Sequence, residues 1–197
     1  TSGIALCPSP ALLDEEGAGQ GVTGMASDQA GNTASVSVEG IHIDKTAPVV
    51  SYSGNAGTYT VDQIVSITCA ASDALSGVRT STCQNIQQRA YTFGVGDHLF
   101  SATAMDYADN EGTGSTAFTV VVTYQSLQVL TNEFVSQQGL ARSLVAVLEA
   151  AQRAGERGNL QAKVNSLRTY IRLVQVLSGL WLTEEEAALL ARLAGQL

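Results

Sequence analysis

Histidine occurs twice, tryptophan once and proline three times among 197 residues, and ten lysines and arginines stand against eighteen aspartates and glutamates. Each shortage removes a class of function. His42 and His98 lie in alternating, strand-like runs, away from any Gly-x-Ser-x-Gly turn or partner cysteine, so both read as strand-surface residues rather than as a general base. Zinc requires His and Cys ligands at short spacing, and no such cluster occurs; nor does a glycine-rich phosphate loop. The expectation is a protein without catalytic residues. A membrane span needs roughly 18 apolar residues in a row, and Arg172, Gln175, Ser178 and Gly179 interrupt the best candidate. The chain opens at Thr1 with no charged-then-apolar leader, so any export signal is expected to have been removed or to lie outside these residues.

The charge that is present is uneven. Twelve acidic and three basic residues fall within 1–124, six and seven within 125–197. A surface so poor in Lys and Arg does not release counterions from a phosphate backbone, which argues against nucleic acid as a partner and leaves divalent cations as the alternative to simple solubility. Composition changes at the same place. Glycine and small polar residues crowd the first two thirds, whereas Leu, Ala, Gln and Arg dominate from Gln125 onward, and such a shift marks a domain boundary.

The chain also matches itself. Met25-Ala26-Ser27-Asp28-Gln29-Ala30-Gly31-Asn32 parallels Thr103-Ala104-Met105-Asp106-Tyr107-Ala108-Asp109-Asn110, and each copy runs into an alternating segment, Ala34–Val38 and Ala117–Val122. Cys7 then stands as the counterpart of Cys83, and the counterpart of Cys69 would precede residue 1. Residues 1–44 thus read as the C-terminal part of a truncated β-domain, completed by an upstream Ig-like domain or by a neighbouring subunit, because an uncovered sheet exposes its core and its edges. Residues 45–124 read as a whole copy. Short β-rich runs at Val49–Tyr52, Tyr59–Val61, Ile64–Cys69, Ala90–Phe93, His98–Ala104 and Ala117–Tyr124, separated by turn residues, predict an Ig-like antiparallel sandwich.

Within that copy Cys69 and Cys83 are predicted to form a disulfide, two free buried thiols being the alternative. Closing a loop of about 15 residues stabilises by roughly 3 kcal/mol and points to an oxidising compartment. Cys7 is left unpaired or intermolecular. In an Ig-like sandwich the incoming linker and the loops after the second and sixth strands share one end, which gathers Asp44, Asp73 and Asp106, with Asn110 nearby. Such oxygen ligands suit calcium; the competing reading is that each caps its own turn.

Asp28-Gln29-Ala30-Gly31-Asn32 followed by Ile43-Asp44-Lys45-Thr46-Ala47-Pro48 resembles the domain end and linker of bacterial extracellular Ig-like repeats, including hyalin-like repeats. The resemblance covers residues 1–124 and implies a fold rather than a ligand. Asp109 departs from it, standing where the first copy has Gly31, a change expected to alter the turn.

Residues 125–197 predict a helical bundle. Leu140, Leu144, Val147, Leu148 and Ala151 form one apolar stripe, and Val164, Leu167, Ile171 and Val174 another. Gly155 and Gly158 separate them, Asn159 caps the second, Gly179 ends it, and Thr183-Glu184-Glu185-Glu186 is a capping box. Trp181 is expected to pack into the bundle, with an aromatic ligand platform as the alternative. The pattern from Leu127 through Ala187-Ala188-Leu189-Leu190 resembles the FIMAH module at the C-termini of secreted bacterial proteins, which implies no catalytic activity.

Three functions follow as expectations: a secreted or cell-surface spacer or adhesion module; an accessory tail of a secreted hydrolase, binding polysaccharide or another cell-surface component; or a fibre subunit completed by strand exchange.

Overall fold

The computed structural model describes residues Thr1–Leu197 as β plus α. Ten strands come first: β1 (Ile4–Leu6), β2 (Gly17–Asp28), β3 (Thr33–Ile43), β4 (Val49–Ser53), β5 (Thr58–Thr60), β6 (Ile64–Ser72), β7 (Val78–Ser81), β8 (Ile86–Arg89), β9 (Gly96–Asp106) and β10 (Glu111–Val121). Four helices follow: α1 (Tyr124–Phe134), α2 (Gln138–Glu156), α3 (Leu160–Leu177) and α4 (Glu184–Ala194). The sheets run β1-β2-β3, β5-β10-β9-β7 and β4-β6-β8. β1 with β2, β2 with β3, β6 with β8 and β7 with β9 pair antiparallel, whereas β5 lies parallel to β10. Ala90–Phe93, expected as a strand, is instead a 3-10 turn over Ala90–Thr92, and β10 stops at Val121 so that Tyr124 opens a helix. No helix is long and apolar enough to cross a membrane.

The chain divides into two compact units. The first is Thr1–Tyr52, Cys69–Gln84 and Ser101–Ser115; the second is Ser53–Thr68, Asn85–Phe100 and Thr116–Leu197.

In the first unit the two copies of the repeat fold alike at their hairpin ends. Asp28 accepts from the N–H groups of Ala30 and Asn32 and from the Asn32 side chain; Asp106 accepts from Ala108, Asn110 and the Asn110 side chain in the same way. Beyond the turn Gln29 N–H donates to Gly3 O, and Tyr107 N–H to Gly77 O. The register repeats as well, Ile4 facing Asp28 as Val78 faces Asp106. Asp109 does not alter the turn: it adopts φ 67° where Gly31 has φ 82°. Aspartate tolerates this left-handed conformation better than most residues, and its exposed carboxylate reaches Arg79 at 2.5 Å.

Around the second copy the unit has a covered core. Val50, Ala102 and Ala104 are buried, with Tyr52, Ala71, Val78 and the Cys69–Cys83 pair packed against them. β10 approaches β4 through glycines: a Cβ on Gly112 would lie 1.7 Å from the Pro48 carbonyl oxygen, and one on Gly114 would lie 2.3 Å from that of Val50. Around the first copy the cover is slighter: Val22, Gly24 and Ala26 of β2 are half-buried, with Pro8 against Gly24, while Ile4, Val36 and Val38 are 70%, 69% and 54% exposed.

In the second unit alternation along β6 buries Val65 and Ile67, and Val120 of β10 is equally enclosed. Phe118 carries an aromatic cluster, with ring centroids 5.3–5.7 Å from those of Tyr59, Phe93, His98 and Phe100. His98, expected at a strand surface, is half buried in this cluster, its Nε2 3.0 Å from Gly94 O. The helices form a bundle around Leu127, Leu130, Leu144, Leu148, Tyr170, Val174, Leu190 and Leu193. Thr123 and Thr183 each make a complete capping box and Asn159 caps α3 through Ala162 N–H. At the centre Thr131 and Tyr170 form a polar pair, their hydroxyls 2.6 Å apart; burial pushes the Tyr170 phenol up from its ordinary pKa. Arg89 at the end of β8 reaches Glu133 on α1 at 2.5 Å, and Tyr91 in the 3-10 turn that follows meets Phe134 of α1 edge-on at 5.8 Å.

The glycine contact yields a prediction. Gly112→Ala should destabilise the protein by about 3 kcal/mol, since a backbone carbonyl cannot step aside as a side chain can. Ser115→Ala, exposed on the same strand, should stay within about 0.5 kcal/mol of the parent. Urea unfolding of both variants measures this, and equal midpoints would sink the claim.

Candidate functional site

Three aspartates from distant points in the chain meet in the first unit. Asp44 opens the linker after β3, Asp73 follows β6, and Asp106 ends β9. One carboxylate oxygen from each lies within 4.8 Å of the others. Asn110, named with them from the sequence, stands beside the group, its amide donating to Asp106 Oδ2 at 2.8 Å and to Asp44 O at 3.2 Å.

Each aspartate also closes its own turn. Asp44 Oδ1 accepts from Thr46 N–H, Asp73 Oδ1 from Leu75 and Gly77 N–H, and Asp106 Oδ1 from Ala108 and Asn110 N–H, all at 2.7–3.1 Å. These are the local bonds for which a short acidic side chain is favoured at a turn. Turn closure alone does not account for the convergence. Asp28 makes the same set of bonds in the first copy and belongs to no such cluster. Asp44 adds a long-range bond, its Oδ2 accepting from Ser76 N–H at 2.9 Å, which ties the linker to the loop after Asp73.

Electrostatically the cluster is one-sided. Asp106 is 0% exposed, and none of the three carboxylates forms an ion pair. A buried charge needs a partner or several hydrogen bonds, and like charges this close repel. Asp44 nevertheless has its pKa held below the ordinary carboxyl value, first by the Ser76 side chain beside it and then by the N–H groups of Ser76 and Thr46, with Glu16 also adjacent. Glu16 was not singled out from the sequence. Its Oε1 accepts from Lys45 and Thr46 N–H at 3.2 and 3.1 Å, bracing the linker, and the only signal was the acidic run Asp14-Glu15-Glu16 ahead of a strand. A cleft of about 320 Å³ opens here, lined by His42, Asp44, Leu75, Ser76 and Tyr107 among others.

Cys69 and Cys83 are joined, with Cα atoms 5.5 Å apart. Cys7 is free and exposed. The shared register sets Leu6 opposite Ser27 as Thr80 is opposite Met105, so Cys7 matches Ser81, two residues short of Cys83. In the second unit Trp181 does not join the helical core: it is 46% exposed, whereas Leu182 is 4% exposed and fills the interior. With Phe134, Ser136, Leu180 and Glu186 it lines an open depression of about 440 Å³.

No family model matches the chain, and no curated protein does. Among solved structures it is similar to the protocadherin GammaB4 extracellular domain, at 11% identity and a TM-score of 0.31, over 54% of this chain and 21% of that one. The chain thus spans about a fifth of that protein's length, and the likeness assigns it no role.

The first copy's turn offers a pH test. Asp28 has its pKa lowered from 3.8 to about 2, chiefly by the Asn32 side chain and then by the Ser2 hydroxyl. A depressed carboxyl pKa stabilises above the unfolded value and is lost as pH falls through the folded one, so this turn should stay closed down to about pH 2. Asn32→Ala should bring the Asp28 carboxyl midpoint back toward 3.8, followed by NMR titration of its side-chain carbon. An unmoved midpoint would remove Asn32 as the principal cause.

Proposed function

We propose that this chain is a non-catalytic extracellular spacer or adhesion module whose linker between the two β-repeats is stiffened by a divalent cation, with calcium as the fitting ion. The observation that carries the reading is the meeting of Asp44, Asp73 and Asp106 at that linker. Carboxylate, amide and carbonyl oxygens are the donors calcium takes, six to eight at a time in flexible geometry. Each carboxylate keeps lone pairs beyond those used in turn bonds. The ion would neutralise a buried charge that no basic residue meets, and would hold β3, the linker and the turn after β9 to one another. The disulfide supports an oxidising compartment, and the scarcity of histidine and of clustered nucleophiles supports a role without bond-making chemistry.

Calcium should raise the melting midpoint of the full chain relative to chelator, and Asp106→Asn should abolish that difference while leaving the fold measurable by circular dichroism. Identical midpoints with calcium and chelator, together with no ion by elemental analysis, would sink the proposal.

A second reading, an accessory tail that binds polysaccharide, is favoured by Trp181 and Leu180, 46% and 73% exposed at the rim of the α3–α4 connection. An exposed indole offers the flat apolar face on which a sugar ring stacks. Titrating the chain with cell-wall polysaccharide should then quench and shift the emission of its single tryptophan; an unchanged spectrum at saturating polysaccharide removes this reading.

A further inference from the structure

The outer edge of α3 carries an apolar stripe that the helical bundle covers only in part. Leu160, Val164, Leu167 and Ile171 follow one another at helical spacing and so share one side of the helix. Leu167 is 8% exposed, but Val164 is 39% and Leu160 67% exposed. Ala194 and Leu197, at the end of α4 and just beyond it, close the other side and leave an open cleft of about 360 Å³. Its rims are basic. Lys163 and Arg168 line it, and Arg172 stands one turn beyond Arg168 on a helix that contains no aspartate or glutamate. Lys163 Nζ donates to Leu197 O, whereas Arg168 and Arg172 take part in none of the chain's three side-chain ion pairs. In a chain of net charge −8, an apolar cleft edged by unpaired guanidinium groups is a local reversal of sign.

We propose that this cleft binds a single-chain fatty carboxylate, with the acyl chain lying along Leu160, Val164, Leu167 and Ile171 and the carboxylate meeting the Arg168 guanidinium. Charge and size select this occupant. A methylene chain gains by leaving water along an apolar wall, and a guanidinium holds a carboxylate through two parallel N–H···O bonds. From Leu160 to Ile171 the helix rises about 16 Å, which is wall enough for a medium-length chain. The cleft also falls within the roughly 300–1,000 Å³ at which small ligands are held. A protein partner needs about 800 Å² on each side, whereas this stripe is bounded on α3 by Gln161, Asn165, Arg168 and Arg172, all exposed. A second copy meeting the cleft with its own would set Arg168 against its counterpart. An anionic bilayer repels the chain as a whole, and lying in its surface calls for a projecting apolar face rather than a recessed one. The cleft lies wholly within the second unit and needs no cation at Asp44, Asp73 and Asp106.

Calorimetric titration of the full chain with octanoate, decanoate and dodecanoate, each below its micelle-forming concentration, tests this. One ligand per chain is expected, with affinity rising roughly tenfold for each added pair of methylenes. Decanol, the same chain without the charge, should bind about tenfold more weakly than decanoate. Arg168→Glu should weaken decanoate by about tenfold or more at an unchanged melting midpoint, since Arg168 is exposed and makes no ion pair. Leu160→Ser should instead flatten the dependence on chain length, which separates the wall from the carboxylate contact. Three results would each overturn the proposal: no saturable binding of dodecanoate, decanol binding as tightly as decanoate, or an Arg168→Glu chain that binds like the parent. Sedimentation of the chain with phosphatidylglycerol vesicles, in the absence of dodecanoate binding, would identify a membrane surface as the occupant in its place.

Discussion

An aspartate at the end of a long hairpin, accepting from the N–H groups two and four residues on, is the interaction from which the β-region of this protein is built. Asp28 and Asp106 make it with the same partners. Closing the turn this way sets which residues of β2 face β3, and hence which face of the sheet each side chain takes, because a slip of one residue would exchange the faces. The turn at Asp109 shows how strongly that constraint acts: a non-glycine residue holds a positive φ there to keep the geometry its glycine counterpart adopts without strain.

The same interaction has different consequences in its two settings. At Asp28 the carboxylate is exposed, bonded to Asn32 and Ser2, and solitary. At Asp106 it is enclosed, with Asp44 and Asp73 brought to it by the linker and by the loop after β6. A turn-closing residue thereby becomes one wall of an anionic pocket. Local chemistry is shared, and the difference lies in what the rest of the chain delivers to the spot.

The helices rest on a separate logic. Capping boxes at Thr123 and Thr183 satisfy free N–H groups at the starts of α1 and α4, and the apolar stripes of the helices enclose a core in which the Thr131 and Tyr170 hydroxyls meet. Thr131 also donates to Leu127 O within α1, so the pair ties α1 to α3 because another orientation would leave the buried Tyr170 hydroxyl without its partner.

Much of this is written in local pattern. Alternation marks β6, β9 and β10; the spacing of leucines marks α2 and α3; Asn159 and the Thr183 box mark helix starts; the repeated Asp-x-Ala-x-Asn marks the turns. All these follow from interactions within a few residues. Ala90–Phe93 misled because a short apolar run is the same in a strand and in a 3-10 turn until the chain around it is placed, and Trp181 because a residue beside a cap can face either way. Glu16, the parallel pairing of β5 with β10, the burial of His98 among phenylalanines and the gathering of three carboxylates depend on contacts between segments far apart. So does the contrast between the two sheets: by itself the sequence determined that each has an apolar face, but only tertiary structure decided that one is closely covered and the other only slightly, because burial is a property of what arrives from elsewhere in space.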